Sequence, residues 1–185
     1  MPQPAPEPMT ERPSSVLIVD DVPANLAMLH DALDAEGYQV RVATDGMRAL
    51  ESARRMPPDL ILLDAMMPGL DGFETCRQLK ADFALRQIPV VFMTGLTDTE
   101  HVVQGFQAGG IDYVTKPIRP REVLVRIASH LRNSRMYTEA QQAADAAGDA
   151  MITVDHDGRM QSGTPLARRW LEGVLDAEGR VARYR

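Results

Sequence analysis

Short apolar runs of strand length alternate with helix-like stretches through most of the chain. The middles of these runs lack the in–out alternation of half-exposed strands, which is typical of parallel strands covered on both faces. The stretches between them repeat apolar residues at helical spacing, as Leu26, Leu29 and Leu33 do. The pattern predicts an α/β fold with a five-stranded, parallel, doubly wound sheet in the strand order 2-1-3-4-5. The five predicted strands are 15–20, 38–43, 59–64, 88–94 and 111–115.

The last helix of this pattern continues from about residue 120 to residue 147 without an internal glycine or proline. Its apolar spacing is interrupted between Leu131 and Met136, so two interpretations stay open. The helix is either a solvated linker or a weak coiled-coil seam through which the chain forms a homodimer. The candidate seam contains Leu124, Ile127, Leu131, Ala140, Ala143 and Ala147.

The last 37 residues form a separate piece in the sequence pattern. A hairpin is predicted there, with strands at 149–155 and 160–163 around a turn at 156–159, followed by a helix from Pro165 to Trp170. One hairpin and one helix cannot build a stable core unaided, which indicates part of a second domain. The first residues are proline-rich and lack the apolar core of a signal peptide. The predicted organisation is a disordered tail at 1–13, an α/β domain at 14–132, a linker helix at 133–148 and a partial second domain at 149–185.

Composition narrows the classes of function. The net charge is −6 and no strong basic run is present, which argues against direct DNA binding by this stretch. The single cysteine, Cys76, excludes an internal disulfide and is predicted to be a half-buried structural thiol. No apolar run is long enough to span a bilayer, so we expect a cytoplasmic protein without membrane contact. The four histidines are scattered without metal-binding spacing.

Polar side chains stand at the ends of four predicted strands. The first strand ends at Asp20 and Asp21, and the third ends at Asp64. The fourth ends at Thr94, and Lys116 follows the fifth. In open α/β sheets ligands bind beyond the carboxyl ends of the strands, so we expect these side chains to converge at one edge.

This set of residues suits phosphoryl chemistry. Three crowded carboxylates repel one another unless a cation offsets them, and Mg²⁺ prefers hard oxygen ligands. Lys116 would add a fixed positive charge and Thr94 a hydroxyl donor, which together balance a dianionic phosphoryl group. A carboxylate can itself be the nucleophile, as in aspartyl-phosphate intermediates. The strand-end residues therefore indicate Mg²⁺-dependent phosphoryl transfer.

The motifs that carry these residues resemble the CheY-like receiver domain of two-component response regulators. Their order and separations match that family over residues 14–132, and the resemblance implies a flavodoxin-like fold. It also implies a signalling phosphoacceptor that promotes only its own phosphorylation and dephosphorylation, and not an enzyme. The matching segments are IVDD at 18–21, LLDAMMPGLDG at 62–72, VVFMTG at 90–95 and DYVTKP at 112–117.

The resemblance assigns a role to each residue of the candidate site. Asp64 would accept the phosphoryl group from a histidine kinase or phosphotransfer protein. Asp21 and Asp64 would bind Mg²⁺ through their carboxylates, Met66 through its backbone carbonyl, and Asp20 directly or through water. Lys116 would contact the phosphoryl oxygens. The peptide bond between Lys116 and the proline that follows it would be cis.

The resemblance further implies a switch formed by Thr94 and Tyr113. The Thr94 hydroxyl would be drawn towards the phosphate, and the Tyr113 ring would turn inward into the vacated space. The altered surface would run from the fourth helix through the fifth strand to the start of the fifth helix. It would control dimerisation and an output such as transcription, with DNA reached only through a region outside this chain.

Two further positions predict a long-lived phosphorylated state. Met66 and Leu96 stand two residues after the acceptor and two after the switch threonine, where the resemblance places the path of the attacking water. Neither side chain can orient that water by hydrogen bonding. We therefore expect slow hydrolysis of the phosphorylated protein.

Two other functions compete with the signalling switch. A haloacid-dehalogenase-type phosphohydrolase also uses an aspartate nucleophile with Mg²⁺, threonine and lysine, but it needs a second acid where this chain has Met66. A pseudo-receiver would serve only as an interaction module without phosphorylation. Separately, the hairpin and helix at 149–185 weakly resemble the opening of a PAS-type sensory domain, although Thr164 stands where asparagine is common before the proline.

Overall fold

A computed structural model describes residues 12–95, 99–154, 158, 160–172 and 174 of the chain. The described residues divide into two compact units, with the boundary between Leu124 and Val125. The predicted domain limits at 13, 132 and 148 therefore stay a prediction. Residues 1–11 of the expected tail lie outside the described residues.

The first unit alternates strands and helices, as the hydrophobic pattern predicts. Its elements, in chain order, are β1 (Ser15–Val19), α1 (Pro23–Ala35), β2 (Gln39–Ala43), α2 (Gly46–Arg55), β3 (Leu60–Asp64), α3 (Gly72–Ala81), β4 (Val90–Thr94), α4 (Thr99–Gln107) and β5 (Asp112–Thr115). A fifth helix, α5 (Pro120–Ala146), begins in this unit.

The five strands form one parallel sheet in the order β2-β1-β3-β4-β5, which confirms the predicted fold class. β1, β3 and β4 are buried along their whole length, because helices cover both faces of the sheet centre. β2 and β5 are the edge strands and are partly exposed. The sheet centre is therefore apolar, and the buried acids Asp20 and Asp64 lie at the carboxyl ends of its strands.

Local signals in the sequence set the helix ends. Pro23 stands in the first turn of α1, where its missing N–H costs nothing, and Gly37 follows the helix with a positive φ of 83°. Asp45 and Asp71 cap α2 and α3 by accepting hydrogen bonds from the backbone N–H groups of Arg48 and Glu74, both at 2.8 Å. The Asp71 cap fixes the loop that leads away from β3.

Cys76 lies in the core of the first unit, packed among apolar side chains of α2, α3 and the sheet. Burial raises the pKa of its thiol to about 11. Because the thiolate is the reactive form, the thiol is inert in the folded state. The prediction of a structural cysteine is confirmed.

The second unit contains the rest of α5, a hairpin of β6 (Ile152–Val154) and β7 (Met160–Gly163), and α6 (Pro165–Leu171). Gly148 ends the long helix with a positive φ of 82°, and the Asp149 N–H donates to the Ala144 carbonyl at 2.9 Å. Asp149 thereby belongs to the helix end, so the first strand is shorter than the predicted 149–155. Most of the predicted turn at 156–159 lies outside the described residues.

Hydroxyl groups join the hairpin to α5 within the second unit. The Tyr137 hydroxyl lies 2.5 Å from Ser162 Oγ, and Ser162 Oγ lies 2.6 Å from Thr153 Oγ1. Gln141 also donates to Ser162 Oγ at 3.1 Å. Ser162 is buried, so these bonds satisfy a hydroxyl that water does not reach.

Among the described helices, none is both long and apolar enough to cross a bilayer.

Candidate functional site

Side chains from three strand ends converge at the carboxyl edge of the first unit's sheet. Asp20 and Asp21 follow β1, Asp64 is the last residue of β3, and Lys116 follows β5. Ligand oxygens of the three aspartates lie within 4.8 Å of one another. Asp20 and Asp64 are buried, whereas Asp21 is exposed. The structure thus brings together the carboxylates and the lysine that the sequence singles out.

Lys116 forms the positive side of this cluster. Its Nζ lies 2.5 Å from Asp64 Oδ2 and 3.1 Å from Asp20 Oδ2. Burial alone would lower the pKa of Lys116, but the hydrogen bonds and charges of Asp64 and Asp20 outweigh it and raise the pKa. Lys116 therefore stays protonated, and its ammonium group bridges two buried carboxylates.

Asp64 lies at the end of β3, the central strand of the sheet. Its Oδ1 accepts a hydrogen bond from the backbone N–H of Met66 at 3.1 Å, and its Oδ2 faces Lys116. Burial raises the pKa of the Asp64 carboxyl; the hydrogen bonds from Lys116 and Met66 oppose this rise, and the nearby charge of Asp20 adds to it. The carboxylate is fixed in direction but lies in surroundings that disfavour its negative charge.

Asp20 is held by a residue that the sequence pattern did not single out. Asn25 Nδ2 donates to both carboxylate oxygens of Asp20, at 3.1 and 3.0 Å, and the Val22 N–H donates to Oδ1 at 2.8 Å. Asn25 lies in the first turn of α1, beside the proline that starts the helix. The available signal was an asparagine at a helix start, five residues after Asp20.

Gly72 is the second residue that the pattern missed as part of the site. It begins α3, and its N–H donates to the Ala65 carbonyl at 3.0 Å. A Cβ at this position would overlap the backbone of Asp64 and Ala65. Only a glycine lets α3 approach the acceptor strand this closely. The signal was its place in the LLDAMMPGLDG segment, directly after the cap residue Asp71.

The donor set fits a hard divalent cation. Three carboxylates offer oxygen ligands from one small region, and Mg²⁺ is bound in proteins by few carboxylates together with water and phosphate oxygens. Burial, and after it the nearby charge of Asp20, raises the pKa of the Asp64 carboxyl, so an added positive charge beside it would favour its ionised form. The site can therefore accept a metal of this class.

Thr94 and Tyr113 occupy neighbouring strands near the cluster. Thr94 ends β4 and is buried, and its carbonyl accepts the Lys116 N–H at 2.8 Å. Tyr113 lies on β5 opposite Phe92 of β4, and the residue is 36% exposed. The peptide bond after Lys116 is cis, as expected. Leu96, which was predicted to flank the acceptor, lies outside the described residues.

Comparison with known proteins agrees with this geometry. The response regulator receiver domain family matches residues 16–128. Response regulator PleD of Caulobacter vibrioides is 44% identical over 136 residues, which are 74% of this chain and 30% of PleD. The DNA-binding response regulator MtrA of Mycolicibacterium smegmatis is 43% identical over 119 residues, which are 64% of this chain and 51% of MtrA. The chain thus spans 30% of PleD's length and about half of MtrA's.

Solved structures give the same assignment. The chemotaxis protein CheY4 of Vibrio cholerae superimposes with a TM-score of 0.61 at 29% identity, covering 63% of this chain and 98% of that one. The family match ends at residue 128 and leaves the PAS-like interpretation of 149–185 without support. With the strand order, the acidic edge and the family match in agreement, the chain belongs to the response regulator receiver domain family.

Proposed function

We propose that this chain is the phosphoryl-accepting switch of a two-component system, with Asp64 as the acceptor for a histidine kinase or phosphotransfer protein. One observation carries the proposal. Asp64, at the end of the central strand, is held by Lys116 and the Met66 N–H, with the carboxylates of Asp20 and Asp21 beside it. Family membership supports this function over a haloacid-dehalogenase-type hydrolase.

Each residue of the cluster has a distinct task in this proposal. Asp21, Asp64 and the Met66 carbonyl would hold Mg²⁺, with Asp20 as a direct or water-mediated ligand. Bound Mg²⁺ would offset the carboxylates and stabilise the charge of the phosphoryl group in transfer. The hydrogen bonds from Asn25 and Val22 keep Asp20 in place for this task.

The transfer itself joins one oxygen of Asp64 to phosphorus. A carboxylate oxygen attacks the phosphoryl group of the donor, a bond to phosphorus forms, and the bond between phosphorus and the donor's histidine nitrogen breaks. Lys116 would contact the phosphoryl oxygens, and the contact of its ammonium group with the Asp64 carboxylate supports this role. The Thr94 hydroxyl would donate to the same group. The chain acts on no other substrate in this scheme.

The output follows from the switch pair. When Thr94 moves towards the phosphoryl group, Tyr113 turns inward and alters the surface of α4, β5 and the start of α5. That surface would control self-association and an output such as transcription. The net charge of −6 makes direct DNA contact by this stretch unfavourable, so DNA would be reached through a region outside this chain.

The test is phosphorylation by a small phosphodonor such as acetyl phosphate. With Mg²⁺, intact-protein mass spectrometry should show one added phosphoryl group, and chelation of the metal should abolish it. Asp64→Asn should remain unlabelled, whereas Asp31→Asn, which changes a carboxylate that is 85% exposed, should label normally. A wild-type chain that binds neither Mg²⁺ nor beryllofluoride would instead be a pseudo-receiver. Labelling that persists in Asp64→Asn would remove the assignment of the acceptor.

A further inference from the structure

Two adjacent methionines with opposite exposure follow the candidate acceptor. Of the three residues after Asp64, Ala65 is fully buried and Met67 is 7% exposed, whereas Met66 is 55% exposed. Met67 packs in the hydrophobic core of the first unit. Among these three residues, Met66 is therefore the one that is open to solvent.

The backbone of Met66 is joined directly to the acceptor carboxylate. Its N–H donates to Asp64 Oδ1 at 3.1 Å, and Asp64 itself is only 2% exposed. An exposed thioether is thus carried by the residue that holds a carboxylate almost closed to solvent. A chemical change of the Met66 side chain would take place beside the acceptor.

The chain's thiol does not compete for an oxidant. Cys76 is the single cysteine and is fully buried, and burial raises the pKa of its thiol to about 11. At neutral pH it is therefore not a thiolate, which is the form that oxidants attack. Oxidation should fall on exposed methionines instead. In the described part of the chain these are Met28, Met47, Met56, Met66, Met136 and Met151.

We propose that Met66 is a site of reversible oxidation at which a peroxide shortens the lifetime of phosphorylated Asp64. The inference rests on the proposed function and adds a regulation of the same site. In the reaction with hydrogen peroxide the O–O bond breaks, one oxygen bonds to the Met66 sulfur and the other leaves as water. The sulfur loses two electrons and the peroxide gains them. Methionine sulfoxide reductases reverse the change.

Oxidation replaces a weak hydrogen-bond acceptor by a strong one. A thioether sulfur accepts hydrogen bonds poorly, whereas a sulfoxide is polar. The sulfoxide oxygen can accept a hydrogen bond from a water molecule and hold it beside the phosphoryl group. That water attacks phosphorus, the bond between phosphorus and the Asp64 oxygen breaks, and inorganic phosphate leaves. One added hydrogen bond corresponds to about twofold to tenfold faster hydrolysis.

The experiment compares the full chain before and after treatment with hydrogen peroxide. Peptide mass spectrometry should find the sulfoxide at Met66 well before it appears at the buried Met67. Both samples are then phosphorylated with acetyl phosphate and Mg²⁺, and the loss of phosphate is followed after removal of the donor. The oxidised sample should lose phosphate about twofold to tenfold faster. Treatment with a methionine sulfoxide reductase should restore the original half-life.

Two variants assign the effect to one sulfur atom. Met66→Leu keeps an apolar side chain of similar size without sulfur, so peroxide should leave the half-life of this variant unchanged, whatever its starting value. Met56→Leu is the matched control, because Met56 is 57% exposed but follows α2. Peroxide should shorten the half-life of this control as much as that of the wild type.

The possible results separate the inference from the proposed function. An unchanged half-life in a wild-type chain that carries the Met66 sulfoxide overturns the inference and leaves the proposed function standing. Equal shortening in Met66→Leu also overturns it, because another residue would then be responsible. Oxidation of Met67 before Met66 overturns it as well. An untreated chain that acetyl phosphate does not label contradicts the proposed function, and the inference falls with it.

Discussion

Met66 is the exposed side chain next to the candidate acceptor, two residues beyond Asp64. Its backbone N–H holds the Asp64 carboxylate, while 55% of the residue is open to solvent. The side chain is therefore not required by the core and is free to flank the phosphoryl group. A thioether cannot orient a water molecule as strongly as an amide or a carboxylate can.

We expect Met66→Asn to shorten the lifetime of the phosphorylated protein. An amide at this position could hold the attacking water by one hydrogen bond, which corresponds to about a twofold to tenfold faster loss of phosphate. Autodephosphorylation can be followed by mass spectrometry after removal of the phosphodonor. Met56→Asn is a matched control, because Met56 is 57% exposed but follows α2, away from the strand ends that carry the acids. Equal rates in wild type and Met66→Asn would contradict the shielding role.

Individual residues of the site differed in how well the sequence could predict them. Asp20, Asp21, Asp64 and Lys116 terminate apolar strands, and a parallel sheet brings such ends together whatever the details of packing. Asn25 could not be assigned in this way, because its role depends on how α1 turns its first residues towards β1. The same holds for Gly72, whose role follows from how closely α3 approaches the backbone of Asp64 and Ala65.

At the scale of elements, the hairpin of β6 and β7 depends on its bonds to α5. A single hairpin is at best marginally stable, and β6 is exposed along its length. Hydrogen bonds from Ser162 and Thr153 lower the pKa of the Tyr137 phenol, in accord with its close contact to the hairpin. Tyr137 therefore links strands that could not hold their pairing alone.

Tyr137→Phe should loosen this hairpin. The change removes one hydroxyl of the network and keeps the ring, so the free energy of opening the hairpin should fall by about 0.5–1.5 kcal/mol. Hydrogen exchange at the amides of β6 and β7 should become faster, while exchange in β1 and β3 should stay unchanged. Thr138→Val serves as control, because that hydroxyl bonds only to the Ser134 carbonyl of its own helix among the contacts seen. Unaltered exchange in the hairpin would show that the network does not stabilise it.

The sequence was sufficient to predict the bounds of some strands and not those of others. The strands of the sheet were predicted to within one or two residues, because their runs are flanked by charged residues, prolines, glycines or threonines. The predicted strand at 149–155 began too early, because the Asp149 N–H donates to the Ala144 carbonyl and so belongs to the end of α5. The same residues could end a helix or begin a strand, and the sequence alone does not distinguish the two.

At the scale of the whole molecule, the expected homodimer has to use the exposed part of α5. Ile127 and Leu131, which the apolar pattern placed in the seam, are buried within the chain and are not available to a partner. Ala140, Ala143 and Ala147 are exposed and stay available. A seam of such small residues buries little apolar surface, so we expect weak association.

The double variant Ala140→Glu/Ala143→Glu should abolish this association. Two carboxylates in the seam would face two more across it and repel them. Sedimentation velocity of the full chain, with and without beryllofluoride and Mg²⁺, should show a wild-type dimer that the variant lacks. Gln142→Glu adds charge on a different face of α5, about 200° from Ala140, and should leave the dimer intact. A wild-type chain that sediments as a monomer in both conditions would exclude the seam.

Gly72 has a consequence for how this protein tolerates mutation. In a library of all single substitutions, the most intolerant uncharged position near the acceptor should be Gly72, because a Cβ there meets backbone atoms that cannot rotate aside. Gly95, directly after the switch threonine, has no described atom within 4 Å of the same added carbon and should accept small side chains. Of these two glycines beside one site, Gly72 should therefore be the same residue in related proteins, whereas small residues should replace Gly95 in some of them.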